Sequence, residues 1–366
     1  MRIFNLIKHL SLSNEMYLLS YIESPHMNEF VPALEKYCAG VYTVIRDESK
    51  GIMGENLPRS ISFFYTPEMI NKLESVLAEV RPDLVQIDFL VMSQYVNHVG
   101  NVPAVYTEHD MSNVNFEQSF HDRDLPEKMR FIEWNKLVRY EREILTKYAS
   151  VVVLTGRDQQ LLHEFAPGLK SIVIPTGVDT AFFTPIHSAN RNATILYVGH
   201  YRHYPNYDAV RHFVKDILPR ITREIHNARF LIVGSGMRKD LMELSSDNVA
   251  VIGEVEDVRK YFFESRVFVA PVRLGGGIKG KVLEAMAMGI PVVASREAST
   301  GIRCVPGRDV LVADTDAEFA AHVIALMQDS DLYSMVAKNA RLVVEDVYDW
   351  RKIAARQSAY YDSLLS

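Results

Sequence analysis

Cysteine is nearly absent, with only Cys38 and Cys304 in 366 residues. The two lie far apart, and neither has His or Cys neighbours at metal-ligand spacing. That excludes a disulfide framework and a zinc site of the usual pattern, and both are read as reduced core thiols. No apolar run reaches the roughly 18 residues that a membrane-spanning helix needs. No N-terminal stretch has the charged, apolar and small-residue order of a secretory signal, so the expected location is the cytoplasm. Positive charge is not in excess: 40 Lys and Arg face 46 Asp and Glu, a net charge of −6, which argues against nucleic acid as the main partner. Low-complexity tracts and short repeats are also lacking. What remains is an ordinary globular composition, 48% hydrophobic and 23% charged, in a chain long enough for two domains with separate cores.

Short β-branched or apolar runs alternate with helical patterns along the whole chain, the signature of parallel sheets covered by helices on both faces. The expected fold class is α/β, with a doubly wound, Rossmann-like domain in each half. Strands are expected at 15–21, 41–45, 84–87, 104–109, 151–155 and 171–176 in the first half. In the second they are expected at 194–199, 229–234, 249–253, 267–271, 291–295 and 310–314. A polar, turn-rich stretch from Pro185 to Asn192 marks the boundary, giving domains 1–187 and 188–347. The remainder, 348–366, reads as a C-terminal helix that either packs on its own domain or crosses back to the first. Open α/β sheets bind ligands beyond the carboxyl ends of their strands, so two such domains facing each other would enclose a cleft.

Residues 271–295, PVRLGGGIKGKVLEAMAMGIPVVAS, are the most informative stretch. They read as a strand, a turn of Gly275, Gly276 and Gly277, a helix and a second buried strand. Glycines at a strand-to-helix junction free backbone N–H groups to face a phosphate, and the helix adds its positive N-terminal dipole. Lys279 and Lys281 are expected to place two ammonium groups beside the turn. Glu284, one turn into the helix, suits a ribose diol. The ligand this implies is a nucleotide diphosphate. A tight turn with lysines on a solvated face is the plainer alternative; the combination with the carboxylate favours the pocket.

On these residues the second half resembles the retaining family 4 glycosyltransferases of the GT-B fold, over 194–345. The resemblance implies that the turn and helix hold a sugar nucleotide as donor substrate, with no further cofactor and no metal, and that Glu284 contacts the ribose. The commoner family pattern has a second glutamate where this chain has Gly276. The segment YVGHYRHYPNYDAV (197–210) resembles the first strand and loop of the donor domain. There Gly199 lets the chain approach the cleft and Arg202 offers charge to the diphosphate; the lysine usual in that region has no clear counterpart, and Lys279 is assigned its role. VIGEVEDV (251–258) resembles the part that wraps the nucleobase through backbone groups near Gly253 and Val255. In AVYTEHD (104–110) the resemblance puts His109 near the transferred sugar, beside Glu108 and Asp110. PTGVD (175–179) is similar to the family's PNGVD, and Gly177 and Asp179 are read as structural.

The implied function is transfer of a hexose or related sugar, with retention, to a carbohydrate or lipid-linked acceptor in polysaccharide biosynthesis. His109, Lys279 and Glu284 are the candidate catalytic residues. Acceptor recognition is expected from the loops at 111–126 and 47–67. The amphipathic segment 128–148 reads as a helix covering the sheet, with peripheral contact to an anionic inner membrane face as its alternative. Asp314, Thr315 and Asp316 are read as an aspartate helix cap, not a metal pair. Ile3, Leu6, Ile7 and Leu10 have helical spacing with no strand before them, where a doubly wound domain opens on a strand and a Gly-rich loop. The chain is therefore expected to start inside its first helix, through a misassigned start, a genuine truncation, or a domain that manages without the element. Two other readings stay open: a non-catalytic nucleotide- or partner-binding relative, and a GT-B sugar-nucleotide epimerase.

Overall fold

The structure is a computed structural model that describes residues 2–47, 49, 51–52, 57–109, 111, 126–185 and 193–366. It divides into two compact units, one of Met1–Pro175 with Ile353–Ser366 and one of Thr176–Lys352.

Among the described residues every strand ladder in the first unit is parallel, and the strands fall into two sheets. Strands β1 (Tyr17–Ile22) and β2 (Gly40–Ile45) pair in register from Tyr17 opposite Gly40 to Ile22 opposite Ile45. The other sheet has the order β3 (Val85–Asp88), β4 (Ala104–Thr107), β5 (Ser150–Val153) and β6 (Ser171–Val173). The continuous apolar runs of β4 and β5 are buried at every residue, as expected of strands covered on both faces. Most of β1 and β3 is only half-buried, and among the described residues no ladder joins them. The single doubly wound sheet expected for this half is therefore interrupted between β1 and β3. Leu19, Tyr21 and Val44 nevertheless pack against the same core as Ile87 and Tyr106.

The Arg2–Leu10 helix buries Leu6, Ile7 and Leu10, the face its spacing predicts. The Trp350–Leu365 helix buries Ile353, Ala354, Gln357 and Tyr361 at helical spacing. Its residues from Ile353 onward belong to the first unit, where Gln357 Nε2 donates to Gln86 Oε1 at 2.6 Å and the Tyr360 hydroxyl meets that of Ser150.

The second unit carries one six-stranded parallel sheet, β7 (Thr194–Val198), β8 (Arg229–Val233), β9 (Val249–Gly253), β10 (Val267–Ala270), β11 (Val292–Ser295) and β12 (Leu311–Ala313). Its spatial order is β12-β11-β10-β7-β8-β9. The core is dense in aromatics: Phe213 stands 4.5 Å from Phe230 and Phe262 5.6 Å from Phe268 between ring centroids. Near its start, Val178 bridges to Asp349, and Thr180 Oγ1 donates to the Asp349 carboxylate. Together with the Arg351 guanidinium, that hydroxyl keeps the carboxyl ionised down to about 2 despite its burial. Asp179 accepts from the amides of Ala181 and Phe182, closing the turn after PTGV.

One local expectation needs correcting. The cap of the Asp316–Gln328 helix is Thr315, whose side chain accepts from Glu318 N at 3.2 Å, while the Asp314 amide donates to Glu318 Oε2 at 2.9 Å. Asp314 is engaged elsewhere, in a two-pronged pair with Arg296. Threonine takes the cap because its hydroxyl, at extended φ and ψ, reaches the amide three residues on.

Candidate active site

The order of the second sheet reverses at β7, which has β8 on one side and β10 on the other. Loops leaving the carboxyl ends of β7 and β10 therefore diverge and leave a crevice, the usual ligand position in an open parallel sheet. The loops after β8 and β10 are rich in glycine, and the geometry shows where glycine is required. At Gly234, with φ of 133°, a Cβ would lie 1.8 Å from the Gly199 carbonyl oxygen, so the turns after β7 and β8 are pressed together backbone to backbone. The Gly199 amide donates to Val233 O at 3.0 Å and the Tyr201 amide to Ser235 O at 2.9 Å.

The triple-glycine turn follows β10. Gly275 and Gly277 have φ of 92° and 72°, the left-handed region that glycine enters without strain, whereas Gly276 does not and faces open space. Lys279 folds back over this turn. Its Nζ donates to the carbonyls of Gly275 at 2.7 Å, Gly276 at 2.5 Å and Gly277 at 3.4 Å. The ammonium thus gathers the turn's carbonyls to one side, and it sits at the N-cap of the Gly280–Ala287 helix, which carries no side-chain cap. A Cβ on Gly275 would stand 3.6 Å from Pro205, so the glycine turn lies close to the start of the Tyr204–His212 helix.

Lys281 lies deeper than its sequence neighbours suggest. Its Nζ donates to the Tyr197 hydroxyl at 2.9 Å and to Asn206 Oδ1, and stands 4.4 Å from the Tyr197 ring centroid. Asn206 Nδ2 in turn donates to the His200 carbonyl at 2.9 Å. Burial, with the charge of Lys279 adding to it and Glu284 opposing it, lowers the Lys281 ammonium to about 7. Burial raises the Glu284 carboxyl, with Lys281 opposing. Glu284 stands half-buried one turn into the helix that the glycine turn leads into.

Arg202 is exposed on the turn after β7, its Cγ 3.0 Å from where a Cβ on Gly236 would stand. Gly253 ends β9 with φ of 87°, and its carbonyl accepts from the Gly234 amide at 2.8 Å; Val255 is partly buried against the core just beyond. Gly199, Gly275, Gly276, Gly277, Lys279, Lys281 and Glu284 thus all lie on the segments that follow β7 and β10, with Arg202 on the exposed turn after β7 and Gly253 and Val255 at the end of β9.

In the first unit His109 follows β4, with its Nε2 3.0 Å from Asp88 Oδ1. The Phe89 ring stacks on it at 4.3 Å and 17°. Glu108 is buried, and its amide donates to Val152 O at 2.8 Å. Asp110 and nearly all of the expected 111–126 acceptor loop lie outside the described residues, as do 48, 50 and 53–56 of the other. Sequence reading passed over Gly234, Gly236, Asp88 and Phe89. The G-x-G that follows the apolar run RFLIV was a visible signal for the first pair, and the aspartate ending VQID was one for Asp88. Nothing in the sequence marks Phe89, whose φ is 71°.

No helix among the described residues is long and apolar enough to cross a membrane. Residues 192–329 match the family described as Glycosyl transferases group 1, and residues 39–182 match Glycosyltransferase Family 4. The GDP-mannose-dependent monoacylated alpha-(1-6)-phosphatidylinositol monomannoside mannosyltransferase of Corynebacterium glutamicum is 26% identical over 250 residues, 62% of this chain and 66% of that protein. Of the other curated relatives it matches, the chain spans 44% to 58%. In structure, sucrose-phosphate synthase from Thermosynechococcus elongatus superposes with a TM-score of 0.68 at 17% identity, covering 96% of this chain and 99% of that one. HepE from Anabaena, solved in complex with UDP and glucose, gives a TM-score of 0.67 at 14% identity over 95% of this chain and 100% of that one. With both halves matched in sequence and the fold matched along the chain, this protein belongs to the family 4 glycosyltransferases of the GT-B fold.

Proposed function

We propose that the protein transfers a sugar from a nucleotide-diphosphate sugar to a carbohydrate or lipid-linked acceptor, with retention at the anomeric carbon. One observation carries this reading: the glycine turn, the N-terminus of the Gly280–Ala287 helix and Glu284 one turn into it follow β10, next to β7 where the order of the sheet reverses. A diphosphate needs amide donors and positive potential, and a ribose needs an acceptor for its diol. The crevice offers both within one turn of helix.

Breaking the bond between sugar and diphosphate leaves negative charge on the departing phosphate and positive charge on the sugar. In this reading Lys279, released from the Gly275 and Gly276 carbonyls, joins Arg202 and the helix dipole in stabilising the leaving group. The protein's own cations do this task, and the departing phosphate accepts the proton of the acceptor hydroxyl. Glu284 fixes the ribose, Gly253 and Val255 offer backbone groups to the base, and His109 contacts the transferred sugar. The Corynebacterium relative's GDP-mannose and the UDP of the HepE structure make GDP- and UDP-sugars the donors to try first. A lipid-linked acceptor would bring the Glu127–Leu145 helix, with Met129, Phe131 and Ile132 exposed, to a membrane surface.

The test is release of nucleoside diphosphate from UDP-glucose and GDP-mannose, with Glu284→Ala alongside. Turnover of either donor that falls at least tenfold in the variant supports the assignment; turnover that Glu284→Ala leaves unchanged removes it. A second reading, nucleotide binding without transfer, is favoured by the interruption of the first unit's sheet between β1 and β3. Binding of nucleotide with no turnover of any donor would select it.

A further inference from the structure

A polar chain runs beneath His109 within the first unit, and each of its links is directional. Asp88 closes β3 and His109 follows the end of β4, so both stand at the carboxyl ends of neighbouring strands. The two oxygens of Asp88 are divided between two partners: Oδ1 meets His109 Nε2 at 3.0 Å, and Oδ2 accepts from Gln86 Nε2 at 2.8 Å. Because Gln86 spends its amide nitrogen on the carboxylate, its Oε1 must face the other way. There it accepts from Gln357 Nε2 at 2.6 Å and from the Tyr361 hydroxyl, and Gln357 Nε2 also reaches the Tyr361 hydroxyl at 2.5 Å. Gln357 is fully buried and Tyr361 nearly so, one turn apart on the terminal helix.

We propose that Asp88 is the positioning residue of His109, and that Gln86, clamped by Gln357 and Tyr361 of the terminal helix, holds the Asp88 carboxylate for that task. A carboxylate only accepts, so a bond to it calls for a hydrogen on His109 Nε2, and the neutral tautomer that meets this has its acceptor at Nδ1. The ring's tilt is fixed as well as its tautomer. Phe89 stacks on one face at 4.3 Å, from a backbone with φ of 71°, a region that non-glycine residues rarely adopt. The buried Arg2 guanidinium, which donates to Ile174 O at 3.1 Å, adds positive charge near Asp88. With side-chain exposures of 17% and 16%, His109 and Asp88 face little competition from water for their bond. A chain of this kind makes the terminal helix part of the site, and not only a cover for the sheet. The proposal rests on the reading of His109 as the sugar contact.

The full chain labelled with nitrogen-15 in histidine tests it, using the His109→Ala spectrum to identify the His109 signals. At alkaline pH the wild type is expected to show one tautomer, protonated at Nε2. Asp88→Asn is expected to give a mixture, because an amide offers both a donor and an acceptor, and Tyr361→Phe and Gln357→Leu are expected to move the same signals by less. Tyr361→Phe removes a single oxygen and keeps the helix face apolar, so it guards against a variant that fails to fold. His109 signals unchanged in Asp88→Asn would overturn the proposal. In the catalytic arm, Asp88→Asn is expected to lower kcat for release of nucleoside diphosphate from UDP-glucose or GDP-mannose by about tenfold or more, with KM little changed. Full turnover in His109→Ala would instead overturn the sugar-contact reading, while the nitrogen-15 result still judges the pairing by itself.

Discussion

Lys281 reaches Asn206 Oδ1, and Asn206 reaches back to the His200 carbonyl at 2.9 Å. Through one amide, a side chain at the start of the Gly280–Ala287 helix ties down the turn after β7. Lys281 is therefore a brace between the two loops of the crevice, while Lys279 holds the glycine turn directly.

Removal of the brace should loosen the turn that carries Arg202. Lys281→Met is expected to weaken nucleotide binding about tenfold or more, since a charge-assisted buried hydrogen bond contributes on the order of 1.5–3 kcal/mol. Calorimetric titration of the variant checks this, and an affinity equal to wild type would contradict it.

The same lysine predicts a pH dependence of stability. Its ammonium falls from 10.5 when solvated to about 7 in the fold, so between those values the folded protein binds fewer protons than the unfolded one. Its contribution to stability therefore rises as pH climbs through that window and is lost as pH falls toward 7. Lys281→Met lacks this dependence, so its denaturant stability should gain on wild type as pH is lowered from about 10 to about 7. A constant difference across that range would argue against a buried, depressed lysine.

The three glycines of the turn should not respond alike. Gly276→Ala enters open space at negative φ and should be tolerated, whereas Gly275→Ala and Gly277→Ala must adopt φ of 92° and 72°. Each of those two is expected to lose about 1 kcal/mol or more and to lower nucleotide affinity. Gly234→Ala is more severe, because its Cβ would overlap the Gly199 carbonyl oxygen. Thermal melts and nucleotide titrations of the four variants give the ranking.

Thr315→Ala should cost about 1 kcal/mol through loss of the cap on the Asp316–Gln328 helix. Asp314→Ala loses only an exposed ion pair with Arg296 and should cost less. A denaturant titration of the two separates cap from ion pair.

The strands were legible because parallel sheets covered on both faces write themselves as apolar runs: VFVA of β10 and SVVV of β5 are buried at every residue. The glycine turn was legible from composition alone. The roles of its two lysines were not, because they depend on whether the chain points each outward or into the helix, which two residues of offset decide. Lys279 sits at the N-cap and turns to the carbonyls, while Lys281 faces Tyr197 and Asn206. Nor could the Gln86, Asp88 and His109 chain be read from sequence, because it assembles strands β3 and β4 with a helix more than 240 residues away. Thr315 was passed over for its flanking aspartates because both residue types make good caps and only geometry chooses among the three positions.

The most direct measurement is a calorimetric titration of the purified protein against UDP, GDP, ADP, CMP and TDP, with Glu284→Ala in parallel. Binding of one nucleotide in preference to the rest, lost or much weakened in the variant, is the expected result. A folded protein that binds none of them, or binds one equally well without the Glu284 carboxylate, would contradict a nucleotide-sugar site at the glycine turn.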